Sequence, residues 1–203
     1  MRKVCFVLPS LLGGGTERIV SNLASLLSEK FETWIVTLEK GKSYELDRQV
    51  KYITLTPLDG RSSPYKKVFY SFFQLHLLKE FLHKKKFDVF LPFLYRTCFL
   101  TSMIPLNRNR VIFNFRSFQS KNIHTGSSII GLIKKNFYEM FLRRVPRYCK
   151  LITVNSKAAL WDMEEHFNVH RKQLKVIYNF VDVSFIEASK GEPISYNLSL
   201  IHI

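Results

Sequence analysis

Three consecutive glycines, Gly13 to Gly15, followed by Thr16 and Glu17, separate a continuous apolar run, Val4 to Leu8, from a stretch with helical spacing. Glycine lets a backbone approach a ligand closely, and a helix start directs unpaired N–H groups and a positive dipole end at whatever lies before it. Phosphate or a sugar hydroxyl suits such a turn; a plain flexible strand-to-helix turn is the bland alternative. Gly13 and Gly15 also fit the first half of a dinucleotide fingerprint, with Glu39 at the end of the next apolar run placed to hold a ribose, although the third glycine is replaced by Arg18. That spacing keeps an NAD-dependent enzyme open as an alternative. Arg116 follows the apolar run Val111 to Phe115, where α/β folds place their ligand groups, and its fork could hold a phosphate or acceptor group bidentately. The alternative for Arg116 is a solvated surface arginine. The 6 histidines lie singly or on helix faces, without metal-ligand spacing, and no Ser-His-Asp order or carboxylate pair stands out. No metal site and no catalytic residue is therefore assigned.

The second chemical signal is charge. The chain carries a net +15, and residues 61–150 hold 18 basic against 3 acidic side chains, which accounts for the whole excess. Lys66 and Lys67, with Lys84, Lys85 and Lys86, flank one aromatic helical stretch; Lys134, Lys135, Arg143, Arg144, Arg147 and Lys150 line another. Basic, amphipathic, aromatic helices suit an anionic membrane interface, where each Lys or Arg contributes about 1 kcal/mol. A solvated face around a core is the bland reading. Nucleic acid is not expected as a partner, since no recognised binding motif accompanies the charge.

The elements that must position these groups follow from periodicity. Val4–Leu8, Trp34–Leu38, Tyr52–Leu55, Phe87–Leu91, Val111–Phe115, Leu151–Val154 and Leu174–Tyr178 read as strands. Helices are expected over residues 16–30, 65–86, 96–106, 128–149 and from the Ser156 cap to about Phe167, with Pro146 ending or kinking the fourth. In the second helix, Val68, Phe69, Phe72, Leu75, Leu78, Phe81 and Leu82 form the apolar face; in the fourth, Ile129, Ile130, Leu132, Ile133, Phe137, Phe141 and Leu142 do. Strand, glycine turn, helix, strand opens a Rossmann-like, doubly wound, mostly parallel α/β sheet in one domain.

Length and composition exclude other classes. A chain of 203 residues with 46% hydrophobic and 14% aromatic content is not disordered. Cys5, Cys98 and Cys149 are far apart, suggest neither a disulfide framework nor zinc, and fit a reducing cytosol. The start, Arg2-Lys3 then Val4 to Leu12, mimics a signal peptide, but Pro9 and the glycines interrupt it. The sequon at Asn197 is read as chance. No stretch approaches the ~18 apolar residues of a membrane span, so the chain is expected in the cytoplasm, lying on the inner face of the cell membrane.

Four segments, in order, resemble family 4 glycosyltransferases: Gly14-Gly15-Thr16-Glu17-Arg18 with Asn22-Leu23-Ala24; Phe113 to Arg116; Leu151 to Ser156; and Lys175 to Asp182. The resemblance covers about residues 3–187 and implies the first half of a GT-B fold. In this fold two Rossmann-like domains face a cleft, the first mostly taking acceptor and the second the nucleotide sugar. Residues 1–187 would be the acceptor-side domain and residues 188–203 a linker or truncated tail, so the chain alone is expected to be inactive. The family's donor-binding basic pair and glutamate have no counterpart here, Phe180 replaces a common proline, and Arg116 stands where many relatives carry a histidine near the strand end, with His124 some way on. The resemblance implies donor or acceptor contacts at Gly14, Gly15, Thr16, Glu17, Arg116, Ser156 and Asn179. It further implies a nucleotide sugar as co-substrate without another cofactor, and a saccharide or lipid-linked acceptor used in cell-envelope polysaccharide synthesis. A non-catalytic phosphate- or anionic-lipid-binding module is the remaining alternative.

Overall fold

The computed structural model describes residues 1–121, 129–179 and Glu187. His124, Phe180, Asp182, the Asn197 sequon, the tail 188–203 and the side chains of Ile129 and Ile130 lie outside the described residues. The chain runs β1 (Lys3–Leu8), α1 (Gly15–Ser28), β2 (Glu32–Thr37), β3 (Lys51–Thr54), α2 (Pro64–Lys85), β4 (Val89–Pro92), α3 (Tyr95–Ser102), β5 (Ile112–Phe115), α4 (Ile129–Arg144), β6 (Leu151–Val154), α5 (Lys157–Phe167) and β7 (Leu174–Val176).

The strands pair in parallel in the orders β3-β2-β1-β4 and β5-β6-β7, and bridges Phe90↔Val111 and Phe93↔Asn114 join β4 to β5. The sheet order is thus 3-2-1-4-5-6-7, with its switch point between β1 and β4. Right-handed crossovers put α1 on one face and α2 to α5 on the other. The β1 side chains divide accordingly: Val4, Phe6 and Leu8 pack with Val20 and Ala24 of α1, while Cys5 and Val7 pack with Leu78 and Leu82 of α2. Burial on both faces is why β1 reads as an unbroken apolar run. The three cysteines are free and buried, and burial pushes all three thiols up, Cys149 to about 12.

Local signals act as the sequence predicts at several ends. Pro146 ends α4 in a 3-10 turn (Val145–Arg147), and the Ser156 Oγ accepts the Ala159 N–H at 3.0 Å; α2 starts one residue earlier than expected, at Pro64. The expected strand Phe87–Leu91 is shifted: Phe87 is buried in the turn before β4.

The apolar face of α2 is also corrected. Leu78 and Leu82 point into the core, but Val68, Phe69 and Phe72 are exposed, the last two by 82% and 79%. The inward row of the helix, at i, i+4, i+7 and i+11 spacing, is Lys67, Ser71, Gln74 and Leu78. Its first half is polar because it meets a buried carboxylate, so the aromatic residues of those turns face outward.

Candidate functional site

Ligand groups in such sheets lie beyond the C-terminal strand ends, at the switch point. Here that edge carries the turns after β1 and β4. In the first, Gly13 has φ +47°, a conformation that favours glycine. Gly14 caps α1; its carbonyl accepts the Tyr44 hydroxyl at 3.0 Å and the Arg18 N–H at 3.1 Å. The Glu17 carboxylate folds back over Gly14, where an added Cβ would meet it. A Cβ on Gly15 would meet nothing within 4 Å, and Gly15 does not adopt positive φ. Thr16 is half-buried beside them. Gly15→Val is therefore expected to melt within about 2 °C of the parent chain while weakening ligand binding at least fivefold, read by calorimetric titration. A variant that binds unchanged would remove the loop from the site.

Beyond β5, Arg116 is half-buried. Its Nη1 donates to the Ile177 carbonyl at 3.1 Å and the Asn179 Oδ1 at 3.4 Å, and its backbone carbonyl accepts the Asn155 amide at 3.0 Å. Residues following β6 and β7 thus hold Arg116, just beyond β5: Asn155 through the Arg116 backbone carbonyl, Ile177 and Asn179 through the guanidinium. Its Nε is buried and finds no hydrogen-bond acceptor among the described residues, and burial lowers its pKa. Phe93, after β4, lies under it at 5.3 Å. Ser156 is beside this group, with its hydroxyl occupied in capping α5. The glycine turn and Arg116 lie on the same C-terminal edge of the sheet, after strands β1 and β5, which flank β4.

Arg116 also lines a cavity of about 340 Å³ with Leu94, Tyr95, Arg96, Gln119 and Tyr138. The segment after Arg116 is pinned from α5: the Asp162 carboxylate accepts the Gln119 and Ser120 N–H groups at 2.7 and 3.1 Å. Tyr138 donates to the Gln119 Oε1 at 2.6 Å and stacks on Tyr95 at 3.9 Å, and burial raises the Tyr95 hydroxyl. Leu94, before α3, has φ 70°, a strained conformation for a branched side chain and one that marks functional turns.

Arg96 connects this cavity to the carboxylate behind it. Its guanidinium pairs with the Glu39 Oε1 and donates to the Gln74 Oε1 at 2.5 Å and the Lys67 carbonyl at 3.0 Å, while the Lys67 Nζ lies 3.2 Å from the Glu39 Oε2. Glu39 has 0% exposure. The acid that a ribose would need is thus closed off between two cations, and the dinucleotide reading is not favoured. Sequence reasoning missed Arg96, although it follows a strand end just as Arg116 does; the unrecognised signal was its position after β4. Among the described residues, no group of three His, Cys, Asp or Glu could hold a metal.

The basic residues separate into three groups. Lys67 turns inward to Glu39 and the Gly60 carbonyl, at 2.6 Å, so its charge does not face outward. Lys84 and Lys85 lie in the last turn of α2, with Lys86 as its cap, and Lys85 stands 4.9 Å over Trp34. Arg143 and Arg144 lie in the last turn of α4, and Arg147 ends the 3-10 turn beyond it. Cations there complement helix dipoles. Lys66, Lys134 and Lys135 lie at the opposite ends of α2 and α4, on the site side; Lys135 is 3.9 Å from Glu139. From Phe69 to Lys85 along α2 is about 24 Å.

Comparison with known proteins agrees with this architecture. Residues 13–185 match Glycosyltransferase Family 4. The chain is 25% identical over 202 residues to the N-acetylgalactosamine-N,N'-diacetylbacillosaminyl-diphospho-undecaprenol 4-alpha-N-acetylgalactosaminyltransferase of Campylobacter jejuni, covering 96% of this chain and 52% of that protein. Sucrose-phosphate synthase from Thermosynechococcus elongatus superposes with a TM-score of 0.68 at 13% identity, over 88% of this chain and 48% of that one. Anabaena HepE, solved with UDP and glucose, does so with a TM-score of 0.60 at 15% identity, over 91% and 46%. The chain spans about half the length of these proteins. With a 3-2-1-4-5-6-7 parallel sheet, a glycine turn after β1 and a match across most of its length, the chain belongs to Glycosyltransferase Family 4.

Proposed function

We propose that this chain is the acceptor-side half of a glycosyltransferase that moves a sugar from a nucleotide sugar to a diphosphate-linked saccharide at an anionic membrane surface. The observation that carries the reading is Arg116 itself: its half-buried guanidinium, anchored on residues after β7 and with an unsatisfied Nε, stands at the wall of a cavity on the ligand edge of the sheet, and Asn155 after β6 fixes its backbone. A partly buried guanidinium is screened less than a surface charge and presents a planar fork to phosphate. The C. jejuni relative is named for a diphospho-undecaprenol acceptor, which supports the same acceptor class here. The Anabaena protein's bound UDP is in keeping with a nucleotide-sugar co-substrate; in this reading that sugar is the co-substrate without another cofactor, and the amides of Gly14 and Gly15 would meet the donor phosphate.

No helix among the described residues is long and apolar enough to cross a membrane. Contact with the bilayer is proposed as peripheral, at the inner face of the cell membrane, through the exposed aromatic surface of α2 and its lysines; the relative's lipid-linked acceptor supports this. The test has two arms. A water-soluble N-acetylhexosamine diphosphate should bind the chain in calorimetric titration, and NADH should not. At low salt the chain should sediment with phosphatidylglycerol vesicles and not with phosphatidylcholine vesicles. The bound fraction should fall at 1 M salt, where the Debye length shrinks from about 10 Å to 3 Å. Binding of NADH in place of the sugar diphosphate, or equal binding to both vesicles, would reject the reading.

A further inference from the structure

The outward row of α2 changes character along its length. Tyr65, Phe69 and Phe72 are exposed by 88%, 82% and 79%, whereas the same row continues as His76, Lys79 and His83. The apolar part is thus confined to the first turns, which lie on the ligand side of the sheet. There it forms one wall of an open groove of about 1040 Å³, whose other lining residues include Phe73 of α2 and Lys134 of α4. An exposed apolar surface of this kind marks a binding site more often than chance. The end of α4 nearest the groove carries the exposed Ile133 and the part-exposed Phe137.

The groove adjoins the cavity at Arg116. Lys134 lies four residues, about 6 Å along α4, before Tyr138 of the cavity wall. Phe73 precedes Gln74, which Arg96 of the cavity holds at 2.5 Å. Cationic and apolar surfaces therefore occur in the order a head-and-tail ligand would need: Arg116 at the cavity, Lys134 at the groove, and aromatic rings along its α2 wall. We propose that the α2/α4 groove takes the first isoprene units of the lipid on the acceptor, leading the tail from the Arg116 cavity toward the bilayer. This rests on the lipid-linked acceptor proposed above and names a second subsite for it. The groove's single lysine at an otherwise apolar lining matches a diphosphate followed by hydrocarbon, and its position beside the cavity separates it from the lysines at the far ends of α2 and α4.

The test is a tail series in vesicle-free solution, below the critical micelle concentrations. N-acetylhexosamine diphosphates bearing methyl, geranyl and farnesyl tails are titrated into the full chain. Affinity should rise at least tenfold from methyl to farnesyl. Phe69→Ser/Phe72→Ser should abolish that gain and leave methyl-tail binding within twofold, because both rings are exposed and neither lines the Arg116 cavity. Phe72→Ser alone, expected to remove about half of the logarithmic gain, serves if the double variant loses its circular dichroism spectrum. No gain with tail length, or a gain that the variants retain, overturns the proposal. So does a pattern in which the variants lose binding only to isoprenoid-free phosphatidylglycerol vesicles, since that is surface docking without a tail site. If the methyl-tail compound binds and longer tails add nothing, the groove fails and the acceptor reading stands. If the methyl-tail compound does not bind, the acceptor reading fails, and farnesol alone still reports on the groove.

Discussion

Replacing Arg96 by leucine is expected to lower the unfolding free energy by about 3 kcal/mol, because removing one partner of a buried pair strands the other charge. Glu39 has 0% exposure and reaches no water. With Arg96 gone, Lys67 at 3.2 Å is its remaining cation, and the Gln74 Oε1 loses a donor at 2.5 Å. Against a typical total of about 5–15 kcal/mol, this is a large loss. Glu39→Gln should cost only about 1 kcal/mol, since a neutral amide still accepts from Arg96 and the cations it leaves, Arg96 and Lys67, are partly exposed where the carboxylate is not. The asymmetry is the informative part, and Glu39→Leu/Arg96→Leu should recover stability relative to Arg96→Leu because the buried carboxylate is gone and the Lys67 left behind is partly exposed and keeps the Gly60 carbonyl. Urea unfolding followed by circular dichroism measures all three. If Arg96→Leu and Glu39→Gln cost the same, the network is not held by burial of the carboxylate.

At Arg116 the larger effect is on binding. Arg116→Ala is expected to weaken N-acetylhexosamine diphosphate binding roughly 30-fold, equivalent to about 2 kcal/mol for lost hydrogen bonds to a charged group. Arg116→Lys should recover little of it, since an ammonium on a flexible stem cannot hold the Ile177 carbonyl and Asn179 while presenting a planar edge to a ligand. Asn179→Ala separates anchoring from contact: it removes one anchor, at 3.4 Å, and should weaken binding by less than tenfold. Calorimetric titration of each variant, with melting temperature as control, checks the series. Full affinity in Arg116→Ala, or in Arg116→Lys, would show that the fork does not engage the ligand.

The parallel sheet was legible because its strands are buried on both faces and read as apolar runs, as Val4 to Leu8 does. Capping was legible at Ser156 and termination at Pro146, since each acts on its immediate neighbours, one through its hydroxyl and the other through its ring and missing N–H. The glycine turn and Arg116 were visible as the residues directly after strands. The division of α2 was not. Periodicity grouped Val68, Phe69 and Phe72 with Leu78 and Leu82 because all are apolar, and it gave Lys67 and Gln74 no reason to point inward. That reason is Glu39, some thirty residues earlier in sequence, reached only when α2 crosses from β3 to β4.

The basic block shows the same limit. Composition alone established that residues 61–150 carry the whole charge excess. Which charges act together depends on the direction of two helices. Both α2 and α4 run antiparallel to the strands they follow, so Lys66 and Lys134 come to the ligand edge while Lys84–Lys86 and Arg143–Arg147 go to the opposite one. By itself the sequence determined the strands, the turn chemistry and the family pattern, because those are local or periodic. Only the tertiary structure decided that Arg96 closes off Glu39, that residues after β6 and β7 hold Arg116, and that the aromatic turns of α2 remain uncovered. Each of these is set by contacts between residues far apart in the chain, which spacing along the sequence does not encode.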